Sequence, residues 1–291
     1  MLKGIVVKAY NSYYYIQSGS KIISCNLRGR FKKERFTLTV GDEVTYTLTG
    51  PDKGIIEEIL PRRNMLKRPM VANIDQVVLT FAAVNPDINP ALVDRFLVVG
   101  EFSELEIIIC INKIDLADAD STAKLTERYE QIGYKVLTVA AKMGTGIEKL
   151  RSLLYDKISV FAGPSGAGKS TILNAVQPGL ELITGEVSHK IGRGKHTTRF
   201  AELLPLAGGG FVVDTPGFSF TEFNDIEEAH LMDYFPEIAR VAPECKFSTC
   251  LHYKEPQCAV KQATAEGRIH ADRYQSYLEI LTEIRENKKG Y

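Results

Sequence analysis

From Leu2 to Leu60 the apolar and aromatic residues fall into five short runs, "LKGIVVKAY", "YYYIQS", "KIISCNL", "EVTYTL" and "GIIEEIL", broken by Gly, Asn, Asp or Pro. Short runs rich in Val, Ile, Tyr and Thr between turn formers read as β-strands. Five strands in about sixty residues predict a small OB-type barrel. Its longest connection, "RGRFKKERF", is basic with two interleaved phenylalanines, a chemistry suited to phosphates and stacked bases. "PRRNMLKRP" (61–69) then reads as a linker. From Ile74 to about Phe223 the pattern changes to apolar strands alternating with helical stretches, the mark of an α/β domain with a mainly parallel sheet and flanking helices. From Asp225 the tail is helical at both ends, with a Cys/His cluster between. It is too short to hold a large core unaided, so a metal staple would help it. The expected domains are 1–68, 69–224 and 225–291.

Charge sharpens this division. Residues 1–68 carry 13 Lys and Arg against 6 Asp and Glu, and the rest of the chain carries 23 against 30, so a formal net charge of zero hides a basic N-terminal module. Such an excess is the electrostatic footprint that nucleic acid attracts. The remaining composition, 44% hydrophobic and 25% charged, is ordinary for a soluble protein. No apolar run is long enough for a membrane span, and "MLKGIVVKAY" lacks the features of a signal peptide. A cytoplasmic protein without membrane attachment is expected. Five cysteines without an export signal argue for reduced thiols or a metal site rather than disulfides. Cys25 and Cys110, in apolar runs, are read as inert core residues, and His230 and His270 as surface residues.

"GPSGAGKS" fits the phosphate-loop pattern, follows the strand "KISVF" and opens the helix "STILNAV". Gly163, Gly166 and Gly168 let backbone N–H groups turn toward phosphate, aided by the positive end of the helix. Lys169 is expected on the β- and γ-phosphates and Ser170 on Mg2+. Ser165, Ala167 and Thr171 in the same run complete the expected nucleotide contacts.

"NKID" (112–115) ends the strand "EIIICI". Asp115 offers two acceptors to the adjacent ring N–H and amine of guanine, a pair that adenine cannot present. Asn112 bonds the other edge and braces the loop, and the Lys113 stem covers the ring face. After the next strand, Ala141 and Lys142 fill the last two places of the Ser-Ala-Lys motif that completes guanine pockets, with Ala140 in place of its serine. Downstream, "DTPG" (214–217) puts Asp214 toward Mg2+ and the Gly217 N–H toward the γ-phosphate. Between them "HKIGRGKHTTRF" suits a switch loop whose threonine binds Mg2+; spacing favours Thr198 over Thr197. These elements run in the order guanine pocket, pocket brace, phosphate loop, switch loop, DTPG. That is a circular permutation of the usual GTPase order.

"GPSGAGKS", "NKID", "DTPG", "RGKHTTR" and the Cys/His cluster together resemble the RsgA (YjeQ/YloQ) family of circularly permuted GTPases over essentially the whole chain. The resemblance implies GTP/GDP as ligand, the 30S ribosomal subunit and its 16S rRNA as partners, and a nucleotide state that sets affinity for that subunit. Other small-subunit assembly factors are expected alongside, and a monomer. It implies a GTPase assisting late 30S assembly, with hydrolysis driving release. Phe218 stands where many small GTPases carry the glutamine that orients the attacking water, so slow intrinsic hydrolysis is expected. His196, beside the switch threonines, is the candidate to place water, with Lys169 and Thr198 completing the catalytic set. Phe218 also keeps open a nucleotide-switched RNA-binding scaffold with incidental hydrolysis. A phosphate-loop kinase of small metabolites is disfavoured by "NKID" and "DTPG" together. Cys245, Cys250, His252 and Cys258 form a Cys3His set for structural, tetrahedral Zn2+.

Overall fold

The computed structural model describes residues 1–10, 13–28, 38–67, 70–180, 201–214, 223 and 225–289. Five strands form the N-terminal barrel: β1 Leu2–Tyr10, β2 Tyr13–Ser18, β3 Lys21–Leu27, β4 Glu43–Gly50 and β5 Lys53–Ile59. They close in the order β1-β2-β3-β5-β4, antiparallel except for the β3/β5 pair, with β1 and β4 sealing the ring. Inside lie Val6, Ile16, Ile23, Cys25, Val44, Tyr46 and Ile56. The five β-rich runs of the sequence are these five strands, and the OB-like barrel is formed. The stretch 61–69, expected as a linker, contains the short strand β6 Met65–Lys67, which pairs with β7 Met70–Ala72. Arg62 grips the fully buried Asp42 carboxylate with Nε at 2.6 Å and Nη2 at 2.8 Å, so this stretch is tied to the barrel. Composition alone favoured a linker because arginine usually signals solvent. Here a buried acid supplies its partner.

The chain continues through β8 Gln76–Ala82, α1 Pro90–Phe102, β9 Glu106–Asn112, α2 Ala119–Ile132, β10 Lys135–Thr138, α3 Ile147–Leu154, β11 Ile158–Ala162, α4 Lys169–Val176, β12 Glu202–Pro205 and β13 Phe211–Asp214. It ends in three further helices, α5 Pro236–Val241, α6 Ala259–Ala265 and α7 Ala271–Lys289. Two compact units, interleaved along the sequence, account for these elements. One comprises Met1–Gln76, Ile147–Phe161 and Ser170–Phe218; the other comprises Val77–Gly146, Ala162–Lys169 and Ser219–Tyr291.

In the first unit, β11 runs parallel to β13, and β12 is antiparallel to β13. The Ile158 N–H is held by Asp75, and the Gln76 amide donates to Ser159 Oγ and the Leu153 carbonyl. An ion pair of 2.8 Å joins Lys8 of the barrel to Glu202 of β12.

In the second unit the strand order is β10-β9-β8, with β9 and β10 parallel. Every residue of β8 is buried, as the unbroken apolar run of a strand covered on both faces requires. Helix α1 starts where Asn89 caps the Ala91 N–H and Pro90 supplies a preset φ. Helix α2 is capped by Asp118 on Ser121 and stopped by Gly133. The C-terminal helices share one core with α1: Val98 joins Phe235, Ile238, Val260, Tyr277 and Ile280. At its centre the fully buried Arg273 of α7 binds Glu237 through Nε (2.6 Å) and Asp94 of α1 through Nη1 (2.8 Å). Burial works against the guanidinium charge, but the two carboxylates hold it protonated, above its ordinary value. Among the described residues no helix is long and apolar enough to cross a membrane.

Candidate nucleotide site and metal centre

Asn112, the last residue of β9, is buried and uses both ends of its amide. Its Nδ2 donates to the Ala167 carbonyl at 3.0 Å, and its Oδ1 accepts the Ala141 N–H at 3.2 Å. One side chain thus joins the loop after β11, the loop after β9 and the loop after β10. The approach requires Gly168, whose φ is +91° and whose place a Cβ would take at 2.3 Å from Asn112 Nδ2. Gly163, with φ +141°, lies as tightly against β8, where a Cβ would fall 2.0 Å from the Thr80 carbonyl oxygen. These two glycines are therefore set by packing as well as by the turn.

Lys169 opens α4 and folds over the loop, donating to the carbonyls of Gly163 (2.7 Å) and Pro164 (2.9 Å). Burial pulls its ammonium below its ordinary value. Ser170 and Thr171 follow on the first turn of α4 and are exposed, as are Ser165 and Gly166, whereas Ala167 is buried. Lys113 adopts the left-handed backbone conformation, φ +63°, and its Nζ donates to the Asn85 carbonyl. Asp115 sits in a single helical turn, exposed and without a hydrogen bond among the described residues. Lys142 is exposed as well.

In the Ala-Ala-Lys loop, no serine hydroxyl braces the turn. A backbone pair between Ala140 and Thr145 holds it instead, together with Asn112 Oδ1 on the Ala141 N–H. Asp214 ends β13. His196, Thr197, Thr198, Gly217 and Phe218 lie outside the described residues. Three features carried no signal in the sequence: the contact from Asn85 to Lys113, the Thr80 carbonyl under Gly163, and the exposed apolar neighbours of the pocket residues, Leu116 and Met143.

Among the described residues, ligand atoms of Cys245, Cys250, His252 and Cys258 all lie within 4.8 Å of one another. His252 Nδ1 is 3.5 Å from Sγ of both Cys245 and Cys258, and those two sulfurs are 3.9 Å apart. Zinc–sulfur bonds of about 2.3 Å and zinc–nitrogen bonds of about 2.0–2.1 Å give tetrahedral edges of roughly 3.8 and 3.5 Å, so the donor set fits a zinc ion. Burial holds the His252 imidazole below its ordinary value, leaving the neutral ring that a metal needs. His252 Nε2 points at Met232 Sδ (3.3 Å), and the tyrosine hydroxyls of Tyr274 and Tyr277 fix the carbonyls of His252 and Leu251. The Glu255 carboxylate accepts the N–H groups of Leu251 and Tyr253, shaping the loop between the ligands.

The chain matches two family models: the RsgA GTPase over residues 59–224 and the RsgA N-terminal domain over residues 3–56. It is 45% identical over 288 residues to the small ribosomal subunit biogenesis GTPase RsgA of Caldanaerobacter subterraneus subsp. tengcongensis, covering 99% of this chain and 97% of the relative. It is 46% identical over 295 residues to the protein of the same name from Geobacillus sp. strain WCH70, with both chains fully covered. Among solved structures, YjeQ from Thermotoga maritima superposes with a TM-score of 0.86 at 41% identity, covering 97% of this chain and 98% of that one. YloQ, described as a circularly permuted GTPase, does so with a TM-score of 0.84 at 41% identity, covering 99% and 96%. A phosphate loop following a guanine-type loop, the closed barrel and the Cys3His cluster thus stand in a chain that belongs to the RsgA GTPase family.

Proposed function

We propose that this GTPase acts in biogenesis of the small ribosomal subunit, docking on the 30S particle with GTP bound and leaving once GTP is hydrolysed. The observation that carries the reading is the Asn112 bridge, which puts an expected guanine-pocket loop and a phosphate loop under one side chain despite their reversed order. In this reading Asp115 reads the guanine edge, Asn112 acts through its brace, and Lys113 and Lys142 flank the ring. The loop amides of Gly163, Ser165, Gly166, Ala167 and Gly168 bind the phosphates, Thr171 completes the contacts, and Lys169 exchanges its carbonyl partners for the β- and γ-phosphates. Ser170, Thr198 and Asp214 would hold Mg2+, whose charge neutralises the phosphate oxygens. His196 places the water and the Gly217 N–H senses the γ-phosphate. Zn2+ held by Cys245, Cys250, His252 and Cys258 would fasten the C-terminal core.

The domains carry over as 1–68, 69–224 and 225–291. The basic first domain contacts 16S rRNA, with other small-subunit assembly factors on the same particle. The protein works as a cytoplasmic monomer.

GTP turnover measured alone and with purified 30S subunits tests the reading. Strong stimulation by the particle is expected, because Phe218 leaves the water without its usual glutamine. Tight binding of the particle with no rise in turnover would instead favour a nucleotide-switched scaffold, the reading that Phe218 also permits.

A further inference from the structure

The two ring nitrogens of His252 face different neighbours. Nδ1 lies 3.5 Å from Sγ of both Cys245 and Cys258, on the side where the donor set fits an ion. Nε2 points the other way, 3.3 Å from Met232 Sδ. Met232 comes from the single helical turn Leu231–Tyr234, ahead of α5 and thirteen or more residues before the Cys/His stretch. That turn is well seated. Leu231 is fully buried, the Tyr234 ring meets Phe102 edge-on at 5.6 Å, and the Phe235 N–H closes on the Met232 carbonyl at 3.1 Å. His252 is held as well: it is 1% exposed, its φ is +56°, and its carbonyl accepts from the Tyr274 hydroxyl at 2.7 Å. The contact therefore joins two groups whose positions are fixed from elsewhere.

An imidazole that gives Nδ1 to a metal must carry its proton on Nε2, and the partner of that proton sets the tautomer and the tilt of the ring. Here the N–H is buried and the acceptor that it faces is a thioether sulfur. Without a metal the neutral ring can hold its proton on either nitrogen, so the need for an acceptor at Nε2 is greatest when the ion is bound. A sulfur placed there favours the loaded form over the empty one. Sulfur is a weak acceptor, so its effect belongs at the low end of what such partners contribute.

We propose that Met232 is a positioning residue for the zinc centre, its sulfur accepting from His252 Nε2–H and so presenting Nδ1 to the ion. This role rests on the reading of Cys245, Cys250, His252 and Cys258 as zinc ligands. It adds to them a residue that the spacing of cysteines and histidines does not reveal.

The test compares the full-length parent with Met232→Leu and Met232→Gln. Leucine keeps the volume and removes the acceptor; glutamine supplies an amide oxygen in its place. Zinc affinity is read by competition with a chromophoric chelator, and the His252 Nε2–H by its proton and nitrogen NMR signals in the zinc-loaded proteins. Met232→Leu should hold zinc roughly tenfold less tightly, with the Nε2–H proton signal moved upfield. Met232→Gln should bind zinc at least as tightly as the parent and move the same signal downfield.

Equal zinc affinity in all three proteins would overturn the role. So would equal weakening by leucine and glutamine, which is what a sulfur needed only for packing would give. If Met232→Leu does not fold, the parent and Met232→Gln still decide, because an Nε2–H signal at the same position in both means that the sulfur accepts nothing. A parent that binds no zinc fails before any variant is compared, and that outcome removes the zinc reading together with the role of Met232.

Discussion

At the scale of single residues, Asn112 and Asp115 sit three positions apart and answer to different physics. Asn112 is buried, and its amide is the partner of the Ala141 N–H and the Ala167 carbonyl. Asn112→Ala orphans both, and a buried polar group without a partner costs about 1–3 kcal/mol. The expected result is a lower midpoint of thermal unfolding together with weaker GDP binding, because two loops lose their shared tether. Asp115 is exposed and its carboxylate makes no hydrogen bond or ion pair among the described residues, so Asp115→Ala should leave the melting temperature in place. On the proposed reading it removes two charge-assisted bonds to guanine, worth about 1.5–3 kcal/mol each, so GTP should lose roughly a hundredfold or more in affinity while ATP does not. Competition binding of the two nucleotides measures this. An Asp115 variant still preferring GTP would move base recognition elsewhere. The motif made both residues visible in the sequence, because strand-ending Asn-Lys and Asp can be read as letters. What Asn112 touches was not legible, since the contact depends on how closely Gly168 lets two loops approach.

At the scale of elements, the strands were the most legible part, because a fully buried strand such as β8 must be an uninterrupted apolar run. The C-terminal helices could be seen too, but not what they pack on. Asp94 and Arg273 are 179 residues apart, and no periodicity links positions so distant. The consequence is a strong test. Arg273→Ala leaves Asp94 and Glu237 buried without a cation, and breaking such a pair from one side costs about 3–5 kcal/mol. Urea unfolding should show that loss.

The metal loop answers to a different perturbation. On the proposed reading of Cys245, Cys250, His252 and Cys258 as zinc ligands, chelation removes an apparent folding contribution of about 10–16 kcal/mol, the range for sites of this kind. Helices α5 to α7 should then melt at a lower temperature. A thiol reagent should label Cys245, Cys250 and Cys258 promptly after chelation, because the loop that buries them opens once an ion no longer holds it; in the closed fold burial pushes the Cys250 thiol up to about 12. Cys25 and Cys110 should react only on global unfolding, since they lie in cores that chelation leaves closed, where burial pushes their thiols up to about 11 and about 12. Equal labelling before and after chelation would mean that no ion occupied the cluster.

At the scale of the whole molecule, the rotated order of motifs changes where the chain goes after it has bound nucleotide. From Asp214, the end of β13, the sequence runs on toward the C-terminal helices, the next helices and strands among the described residues. Inside the second unit a contiguous set of contacts connects the same places. Pro86 lies against Gly166 of the phosphate loop, the Asn85 carbonyl accepts from Lys113, and α1 follows with Asp94 on Arg273 and Val98 in the C-terminal core. If nucleotide state biases this set, α5 and α7 must respond, although neither carries a residue of the proposed nucleotide site. Amide hydrogen exchange, compared between the GDP form and a non-hydrolysable GTP analogue, should therefore differ in residues 236–241 and 271–289 as well as in the phosphate loop. A tenfold change in local opening requires the two nucleotides to differ by about 1.4 kcal/mol in their preference for the closed and open arrangements. Arg273→Met, which keeps the volume and removes the link to Asp94, should shrink the difference in α7 while leaving that in the phosphate loop. Identical protection of α7 in both nucleotide states would show that hydrolysis stays local, and release from any partner would then have to run through the loops around the nucleotide alone.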